Sequence, residues 1–326
     1  MPLFPVIESI LSPQALVKDV LPDFGIGNVT TCQFFSGGFN HTYIVKTVDG
    51  NTYYARVYRQ SWRTLNDILC ELDALIHLKQ KRCAAAKPCA RQDGSYHCVL
   101  DAPEGIRYVA LFSEALGSEL SYAQRPQAVA YQYGQAVARL HNALDDFTSP
   151  YRRFCIDLDH LIDEPLQHIE PFLSYRTEDW AYLKAVANVV RQRILDMPAS
   201  TLEQGFCHGD LQGYHANVTE DGTMTFYDFD CGGFGYRSYD LAVFLWSSRL
   251  ERQEQLRWSS FLRGYQEIRP LNTVDISAIP LFVSARYIWH MGMHTQNSST
   301  WGRGQFNDAY FDQHLASLRA VETEYL

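Results

Sequence analysis

Two short segments, FCHGDLQGYHANV at residues 206–218 and TFYDFD at residues 225–230, decide how the rest of this chain is interpreted. An apolar run ends at Asp210, a polar loop and a turn at residues 220–222 follow, and a short apolar strand then leads to Asp228. This order predicts one carboxylate on a loop and another at the end of a nearby strand, both open to the same cleft.

Two such carboxylates without a nearby lysine favour a divalent cation and an anionic substrate, because Mg²⁺ takes oxygen ligands and bridges phosphates. In the phosphoryl-transfer template of protein kinases, a loop Asp orients the attacking hydroxyl and a strand-end Asp binds the metal. By this template Asp210 is the catalytic base and Asp228 is a Mg²⁺ ligand. The pattern therefore predicts phosphoryl transfer.

The sequence HGD at residues 208–210, together with DFD at residues 228–230, resembles the aminoglycoside phosphotransferase and choline kinase superfamily. The segment YRSYDLA at residues 236–242 resembles in particular the branch that holds type II homoserine kinases and the bacterial stress-response Ser/Thr kinase. The resemblance implies an α+β, bilobal, protein-kinase-like fold, with a small β-rich N-terminal lobe that carries one key helix and a larger, mainly helical C-terminal lobe. It places the nucleotide-binding lobe at residues 1–115 and the catalytic and substrate-binding lobe at residues 116–326.

One position departs from the family's pattern. The family has an Asn five residues after the catalytic Asp, where this chain has His215, and Asn217 follows two residues later. Residues two apart on an extended segment share a face, so both are candidate metal ligands. Because Mg²⁺ prefers oxygen to nitrogen, two alternatives stand: Asn217 itself, or a water held by His215. Asp230 is a further candidate, either as a metal ligand or as a residue that fixes the loop.

A glycine turn and an ion pair are the candidate phosphate-binding features of the N-terminal lobe. Gly37 and Gly38 lie in a turn between predicted strands, where the template covers the nucleotide phosphates. Arg56 lies on a later predicted strand, where the template has its Lys, and Glu71 lies on the predicted helix that follows. Because Arg offers phosphate a planar, permanently charged fork, we predict that Arg56, clamped by Glu71, binds the α- and β-phosphates. The alternative is a surface ion pair.

The predicted strand at residues 108–112 runs into SEALG at residues 113–117, which the resemblance identifies as the hinge that meets the adenine. Glu114 and Leu116 are therefore predicted to neighbour the nucleotide base.

The remainder of the chain has helical periodicity. The helices are predicted within residues 12–24, 128–144, 164–196, 241–250, 256–268, 276–294 and 308–325. An aromatic cluster near the C-terminus, made of Tyr287, Trp289, His290 and Trp301, is a candidate for holding a cationic substrate by cation–π contacts. Helix-spaced aromatics also form ordinary cores, and the sequence leaves both interpretations open.

Composition narrows the class of protein. The 326 residues are 46% hydrophobic and 20% charged, as in a soluble globular protein. A net charge of −9 argues against nucleic acid as a partner. Residues 1–8 lack the pattern of a signal peptide and no apolar run reaches membrane-spanning length, which predicts a cytoplasmic protein with no membrane partner. No sequence feature sets an oligomeric state.

The predicted function is ATP-dependent transfer of the γ-phosphoryl group to a hydroxyl of a small molecule, which is an amino alcohol, a homoserine-like compound or an antibiotic-like compound. One alternative is a Ser/Thr protein kinase of the stress-response type. The other is a nucleotide-binding regulator with weakened catalysis, which is motivated by His215 and Arg56 at positions where the templates have Asn and Lys.

Overall fold

The computed structural model describes residues 4–198 and 201–325, so the first three residues of the segment 1–8 considered above lie outside the described part of the chain. The chain forms two compact units. The first, the sheet unit, consists of the chain up to Ser118 together with Thr148–Arg152 and Ala216–Tyr227. The second, the helical unit, consists of Glu119–Phe147, Arg153–His215 and the chain from Asp228 onward.

The sheet unit is built on a five-stranded antiparallel sheet with the strand order β1-β2-β3-β5-β4. Its strands are β1 (Val29–Gly37), β2 (Asn40–Thr47), β3 (Thr52–Tyr58), β4 (Cys98–Ala102) and β5 (Gly105–Ser113). Alternation along β2 buries Tyr43 and Val45, and these pack with Ala55, Val57 and Val109 of the neighbouring strands. Helix α1 (Pro13–Asp19) and a short 3₁₀ turn (Leu21–Phe24) cover this core.

Helix α2 (Leu65–Gln80) is the long helix of the sheet unit. It begins with a capping box in which Thr64 accepts from the backbone N–H of Asp67 while the Asp67 carboxylate accepts from the backbone N–H of Thr64. Its buried stripe includes Ile68 and Leu75, and Glu71 lies in the same stripe with 1% of its surface exposed. A carboxylate at such a position requires a partner, which Arg56 supplies.

Strand β6 (Ser118–Glu119) has only two residues. A hairpin distant in sequence completes the sheet unit. Strands β9 (Ala216–Val218) and β10 (Met224–Phe226) pair antiparallel, and Phe226 exchanges backbone hydrogen bonds with residues 84 and 86. The backbone of Gly117 has φ +98°, and a Cβ there would lie 2.4 Å from the carbonyl carbon of Val218. Gly117 is thus the residue that lets the end of the first segment approach β9.

The other α-helices of the described residues lie in the helical unit. They are α3 (Pro126–Ala143), α4 (Glu164–Leu173), α5 (Thr177–Leu195), α6 (Arg237–Leu250), α7 (Glu254–Ile268), α8 (Thr273–Gln296), α9 (Ser298–Trp301) and α10 (Asp308–Tyr325). Helix α8 is buried on nearly every side between Leu281 and Trp289, so it forms the centre of the unit. Gly134 on α3 and Gly264 on α7 lie where a Cβ would collide with the facing backbone, which allows these two helices to pack closely.

A small sheet in the helical unit leads directly into the catalytic loop. It has the order β7-β11-β8, with β7 (Cys155–Ile156), β8 (Gln204–Cys207) and β11 (Gly233–Tyr236). The pairing of Cys207 with Gly233 brings the segment before Asp210 beside the segment after Asp228. The sheet therefore fixes the two carboxylate-bearing loops against each other.

The predicted α+β class, with a β-rich N-terminal region and a mainly helical remainder, is confirmed. The lobe boundary at residue 115 stays a prediction; the first compact segment ends at Ser118, and that unit also takes up residues 216–227. Among the described residues, none of the helices combines the length and hydropathy that crossing a bilayer demands.

Candidate active site

The loop that carries Asp210 is held by the buried carboxylate of Asp240 on α6. The two carboxylate oxygens of Asp240 accept hydrogen bonds from the backbone N–H groups of His208 and Gly209, each at 2.7 Å. Gly209 has φ +79°, and a Cβ there would overlap the carbonyl of Cys231. Asp240 thus holds the loop that carries Asp210 from the first turn of α6.

A buried chain of hydrogen bonds holds Asp240 in turn. His141 Nε2 lies 3.0 Å from Asp240, and His141 Nδ1 lies 2.8 Å from the hydroxyl of Tyr265. Burial, followed by the charge of Arg237, lowers the pKa of His141 to about 4 despite the opposing carboxylate. At neutral pH the ring is therefore uncharged, donates to Asp240 and accepts from Tyr265.

Arg286 on α8 holds Asp210 itself. The guanidinium is 1% exposed and pairs through Nη2 with Asp210 Oδ1, while Nη1 donates to the carbonyl of Gly209 at 3.2 Å and to the hydroxyl of Tyr239 at 3.1 Å. Gln212 Nε2 donates to the same Oδ1 at 2.7 Å. Two donors on Oδ1 fix the carboxylate and leave Oδ2 as the oxygen best placed to accept from a substrate hydroxyl.

The charge state of Asp210 follows from these neighbours. Burial raises the pKa of the Asp210 carboxyl, but Arg286 first, and then His215 and Gln212, lower it by more, so the pKa lies below its usual range. The carboxylate is thus ionised at neutral pH, and it is a strong hydrogen-bond acceptor and a weak base.

Asp228 lies in a strained turn that its neighbours maintain. Its backbone has φ +65° and ψ +63°, a left-handed conformation uncommon for residues other than glycine. Arg153 supports the 3₁₀ turn that follows by donating to the carbonyl oxygens of Phe229, Asp230 and Gly232. The Asp228 side chain is 43% exposed, whereas Asp230 is buried at 4%, so Asp228 is the more accessible carboxylate for an ion.

The two candidates for the family's Asn position lie in different surroundings. His215 Nδ1 lies 2.9 Å from the backbone oxygen of Asp210 and 3.4 Å from Oδ2 of that residue, and His215 Nε2 lies 3.9 Å from Asp228 Oδ2. Because a carbonyl only accepts, His215 Nδ1 donates to it, and Nε2 is the ring nitrogen on the side of Asp228. The amide of Asn217, by contrast, donates to the carbonyl of Ala115 at 2.8 Å.

These donors fit a divalent cation. Asp228 supplies an exposed carboxylate and His215 Nε2 lies 3.9 Å from its Oδ2, so these two residues would be the ligands of a metal ion, or of a metal-bound water, at this position. A nitrogen here suits Mg²⁺ less well than an amide oxygen would, and transition-metal ions such as Mn²⁺ accept it more readily. The roles of Asp228, His215, Asn217 and Asp230 as ligands stay predictions.

In the sheet unit, the predicted clamp has the expected geometry. Arg56 Nη1 donates to Glu71 Oε1 at 2.7 Å, and the Tyr58 hydroxyl lies 3.1 Å from Glu71 Oε2. The guanidinium also lies over the ring of Phe112, 5.1 Å from its centroid. The Arg56 side chain is 13% exposed and Glu71 is 1% exposed, so this is a partly buried pair whose arginine is the accessible member.

The remaining predicted nucleotide-binding residues are exposed. Gly37 and Gly38 lie at the end of β1 and in the turn to β2, where the Gly38 N–H donates to the carbonyl of Asn40. Glu114 follows β5 and its N–H donates to the carbonyl of Thr52, and Leu116 is 66% exposed. Their contact with a nucleotide stays a prediction.

The aromatic cluster proposed for the substrate already holds a cation of the protein itself. The guanidinium of Arg286 lies 4.8 Å from the Trp246 ring centroid and 4.4 Å from that of Trp289. Tyr287 and Trp289 are buried, whereas His290 and Trp301 are half-buried beside Trp246 and His294 respectively. A substrate role for these four residues stays a prediction, and the Trp289 face in contact with Arg286 is not open to a ligand.

Arg286 and Gln212 are the site residues that sequence reasoning missed. Gln212 lies within the motif itself, so its position two residues after Asp210 was a usable signal. Arg286 lies 76 residues from Asp210 on a helix dense in aromatics. The only sequence signal was a single charge within an apolar helical run, which must have a buried partner.

The supported Asp210 carboxylate and the accessible Asp228 carboxylate of the helical unit, and separately the Arg56–Glu71 pair of the sheet unit, are features that the sequence analysis expected of a kinase-like phosphotransferase. A family model described as "Phosphotransferase enzyme family" matches residues 31–271. The chain belongs to this family, and it is, as the sequence predicted, an ATP-dependent phosphotransferase that acts on hydroxyl groups.

Similar proteins span nearly the full length of the chain. An uncharacterized protein of Deinococcus radiodurans is 37% identical over 326 residues, which cover 99% of this chain and 93% of that protein. A homoserine kinase of Neisseria meningitidis is 25% identical over 270 residues, which cover 81% of this chain and 82% of that protein. The solved structure of a microcompartment-associated aminopropanol kinase shares the fold, with a TM-score of 0.77, 22% identity, and coverage of 95% of this chain and 98% of that one.

Proposed function

We propose that this protein transfers the γ-phosphoryl group of ATP to the hydroxyl of a small amino alcohol, with Mg²⁺ as the divalent cofactor. The observation that carries the proposal is the fixed Asp210 carboxylate, whose Oδ1 is held by Arg286 and Gln212 while Oδ2 faces His215. Such a group is suited to orienting a hydroxyl for attack.

The lowered pKa of Asp210 limits how it acts. A carboxylate of low basicity gains little by removing a proton early, but it aligns the hydroxyl and receives the proton once the new oxygen–phosphorus bond has begun to form. We therefore assign Asp210 the orientation of the acceptor and late proton uptake, and Arg286 the positioning of Asp210.

Asp228 and His215 are the proposed residues of the metal site, and Arg56, oriented by Glu71, is the proposed phosphate-binding residue. A divalent cation bound by Asp228 and His215 would neutralise charge on the β- and γ-phosphate oxygens. Asp228 keeps its carboxylate exposed through the left-handed turn, and Arg56 keeps its fork oriented through Glu71 and Phe112.

The acceptor class rests on what the similar proteins are named for. A homoserine kinase and an aminopropanol kinase both take their names from compounds that carry an amino group and a hydroxyl. We infer an acceptor of the same kind for this chain, and the two alternatives that the sequence left open become outcomes of the test.

The test is a screen of ADP release with Mg-ATP against homoserine, 1-amino-2-propanol, choline, an aminoglycoside and a Ser/Thr-containing protein. We expect turnover with an amino alcohol, a phosphomonoester product by ³¹P NMR, and loss of turnover in Asp228→Asn, whose exposed side chain makes misfolding a minor concern. Phosphorylation of the protein substrate alone would overturn the acceptor class. Nucleotide binding without transfer to any acceptor would favour the regulator.

A further inference from the structure

Three histidines of the helical unit lie close together, and none of them belongs to the proposed catalytic or phosphate-binding residues. His290 and His294 lie one turn apart on α8, and His314 lies on α10. One ring nitrogen of each lies within 4.8 Å of the others, and the ring centroids of His290 and His294 are 4.0 Å apart. Histidines spaced i, i+4 on one helix, joined by a third from a neighbouring helix, are a common arrangement of metal ligands.

Hydrogen bonds occupy one ring nitrogen of His294 and one of His314, and the other nitrogen of each ring is a candidate metal ligand. His314 Nδ1 lies 2.8 Å from the carbonyl oxygen of Tyr310, so it must donate, and Nε2 is left with a lone pair. His294 Nδ1 lies 2.9 Å from the Tyr310 hydroxyl, so Nε2 is the nitrogen of that ring that remains for a metal ion. An outer partner that fixes one ring nitrogen while the other binds metal is typical of histidine-ligated sites.

His290 supplies an independent observation. Its Nδ1 is buried and, among residues 4–198 and 201–325, has no hydrogen-bond partner. A buried polar nitrogen without a partner carries a desolvation cost, which a bound ion in contact with it would remove.

The electrostatics of the cluster favour the deprotonated rings that metals need. Burial, together with the other histidines and Arg286, lowers the pKa of both His290 and His294, the latter to about 4, and burial lowers the pKa of His314. No proton therefore has to be displaced near neutral pH. The positive charge that opposes a cation is Arg286, and that charge is already paired with Asp210.

We propose that His290, His294 and His314 bind a divalent transition-metal ion of the zinc type, in a site separate from Asp210 and Asp228. Three imidazole nitrogens suit Zn²⁺ and neighbouring late transition metals and do not suit Mg²⁺ or Ca²⁺. Tetrahedral bonds of about 2.0 Å require nitrogens roughly 3.3 Å apart, which modest side-chain rotations would achieve. All three residues are half-buried, so an ion can enter and a water can complete the coordination.

An ion bound at this site would connect two helices. An ion held by these residues joins α8 to α10, and Arg286 lies one turn before His290 on α8. We therefore expect the bound ion to raise thermal stability, since any ligand of the folded state does so by mass action.

The test is calorimetric titration of metal-free, reduced protein with ZnCl₂ in excess Mg²⁺. All proteins carry His215→Asn and Asp228→Asn, so that the catalytic residues do not contribute. We expect the parent to bind one equivalent of Zn²⁺ and its thermal midpoint to rise. In both His294→Ala and His314→Gln, we expect the affinity for Zn²⁺ to be at least about 100-fold lower than in the parent. His168→Gln, which removes a half-buried histidine on α4, should bind as the parent does.

Circular dichroism of each metal-free variant guards against misfolding, and His314→Gln, whose ring is half-buried on the last helix, remains informative if His294→Ala does not fold. A visible absorption band of tetrahedral Co²⁺ that is lost in His314→Gln would support the same ligands. Zn²⁺ binding that is equal in the parent, His294→Ala and His314→Gln, or no binding by the parent, would overturn the proposal. None of these readouts depends on phosphotransfer.

Discussion

Two arginine–carboxylate pairs, one in each unit, have opposite arrangements. In the sheet unit the carboxylate of Glu71 is 1% exposed and Arg56 is 13% exposed. In the helical unit Arg286 is 1% exposed and the carboxylate of Asp210 is 15% exposed. In both pairs the fully buried member holds the accessible one in a single orientation, and the accessible member has the charge required by its proposed ligand: positive for phosphate, negative for a hydroxyl.

These opposite arrangements predict that the two pairs support different steps of the reaction. Removing the buried member should misorient the accessible one, and the effect should appear in nucleotide binding for Glu71 and in the transfer step for Arg286. The pairs thus provide two independent tests of how the fold supports catalysis.

Among the variants that leave Asp210 itself unchanged, Arg286→Gln should have the largest effect. It leaves the Asp210 carboxylate without its cation and the Tyr239 hydroxyl and Gly209 carbonyl without their donor. Breaking a buried pair typically costs about 3–5 kcal/mol of unfolding free energy, and misplacing Asp210 should lower kcat about 100-fold. Urea unfolding and steady-state kinetics measure the two effects.

Arg286→Lys is the matched control for that variant, because it keeps the charge and loses the fork that reaches Gly209 and Tyr239. We expect part of the stability to return and little of the kcat. A Lys variant with full activity would show that charge alone suffices and would contradict the positioning role.

His141 extends the comparison to the second network that holds the Asp210 loop. Its pKa is about 4 in the folded protein, whereas the pKa of a His in the unfolded chain is about 6.5. As pH falls from about 6.5 to about 4, the unfolded state gains a proton that the folded state does not, so the folded state loses up to roughly 3 kcal/mol across this window. Above about pH 6.5 this contribution to stability is fully present.

His141→Gln keeps a donor for Asp240 and removes the titration. Unfolding free energies measured at several pH values should therefore show a shallower fall towards pH 4 in the variant than in the parent. Parallel pH profiles for the two proteins would contradict a neutral His141.

Glu71→Gln should have an intermediate effect on nucleotide binding. The amide preserves shape but removes the charge that orients Arg56. Hydrogen bonds to charged groups contribute about 1.5–3 kcal/mol, so we expect at least roughly tenfold weaker ATP binding with kcat at saturating ATP nearly unchanged. An equal fall in kcat would place Glu71 in the transfer step instead.

His215→Asn should have the smallest effect, and it restores the residue of the family's pattern. We expect the ratio of activity with Mg²⁺ to activity with Mn²⁺ to rise by a few fold, because an amide oxygen replaces a ring nitrogen. Asn217→Ala is the companion variant; a larger change in metal preference there would assign the ligand role to Asn217.

Much of the fold followed from local pattern. The strand at residues 108–112 and the helix at residues 308–325 were predicted close to their observed bounds, because strand propensity and helical periodicity are local properties. The Arg56–Glu71 pair was predicted because a template spans a short interval of sequence. The predicted helix at residues 12–24 is divided into α1 and a 3₁₀ turn, where Pro22 interrupts the backbone pattern.

What could not be predicted depends on distant contacts. Arg286 meets Asp210 only because α8 lies at the centre of the helical unit, and the membership of residues 216–227 in the sheet unit arises from Phe226 pairing beside Ala85. Likewise, no local signal shows that Trp246 lies against Arg286 or that His314 approaches His290. These contacts are set by tertiary packing.

The central claim is that Asp210 acts in the transfer step and not in nucleotide binding. The most direct measurement is single-turnover transfer from γ-labelled ATP to the acceptor by Asp210→Asn, with ATP affinity measured on the same protein. The account predicts unchanged ATP affinity and transfer about 10²–10⁴-fold slower than in the parent. Transfer at the parental rate with bound ATP would contradict it.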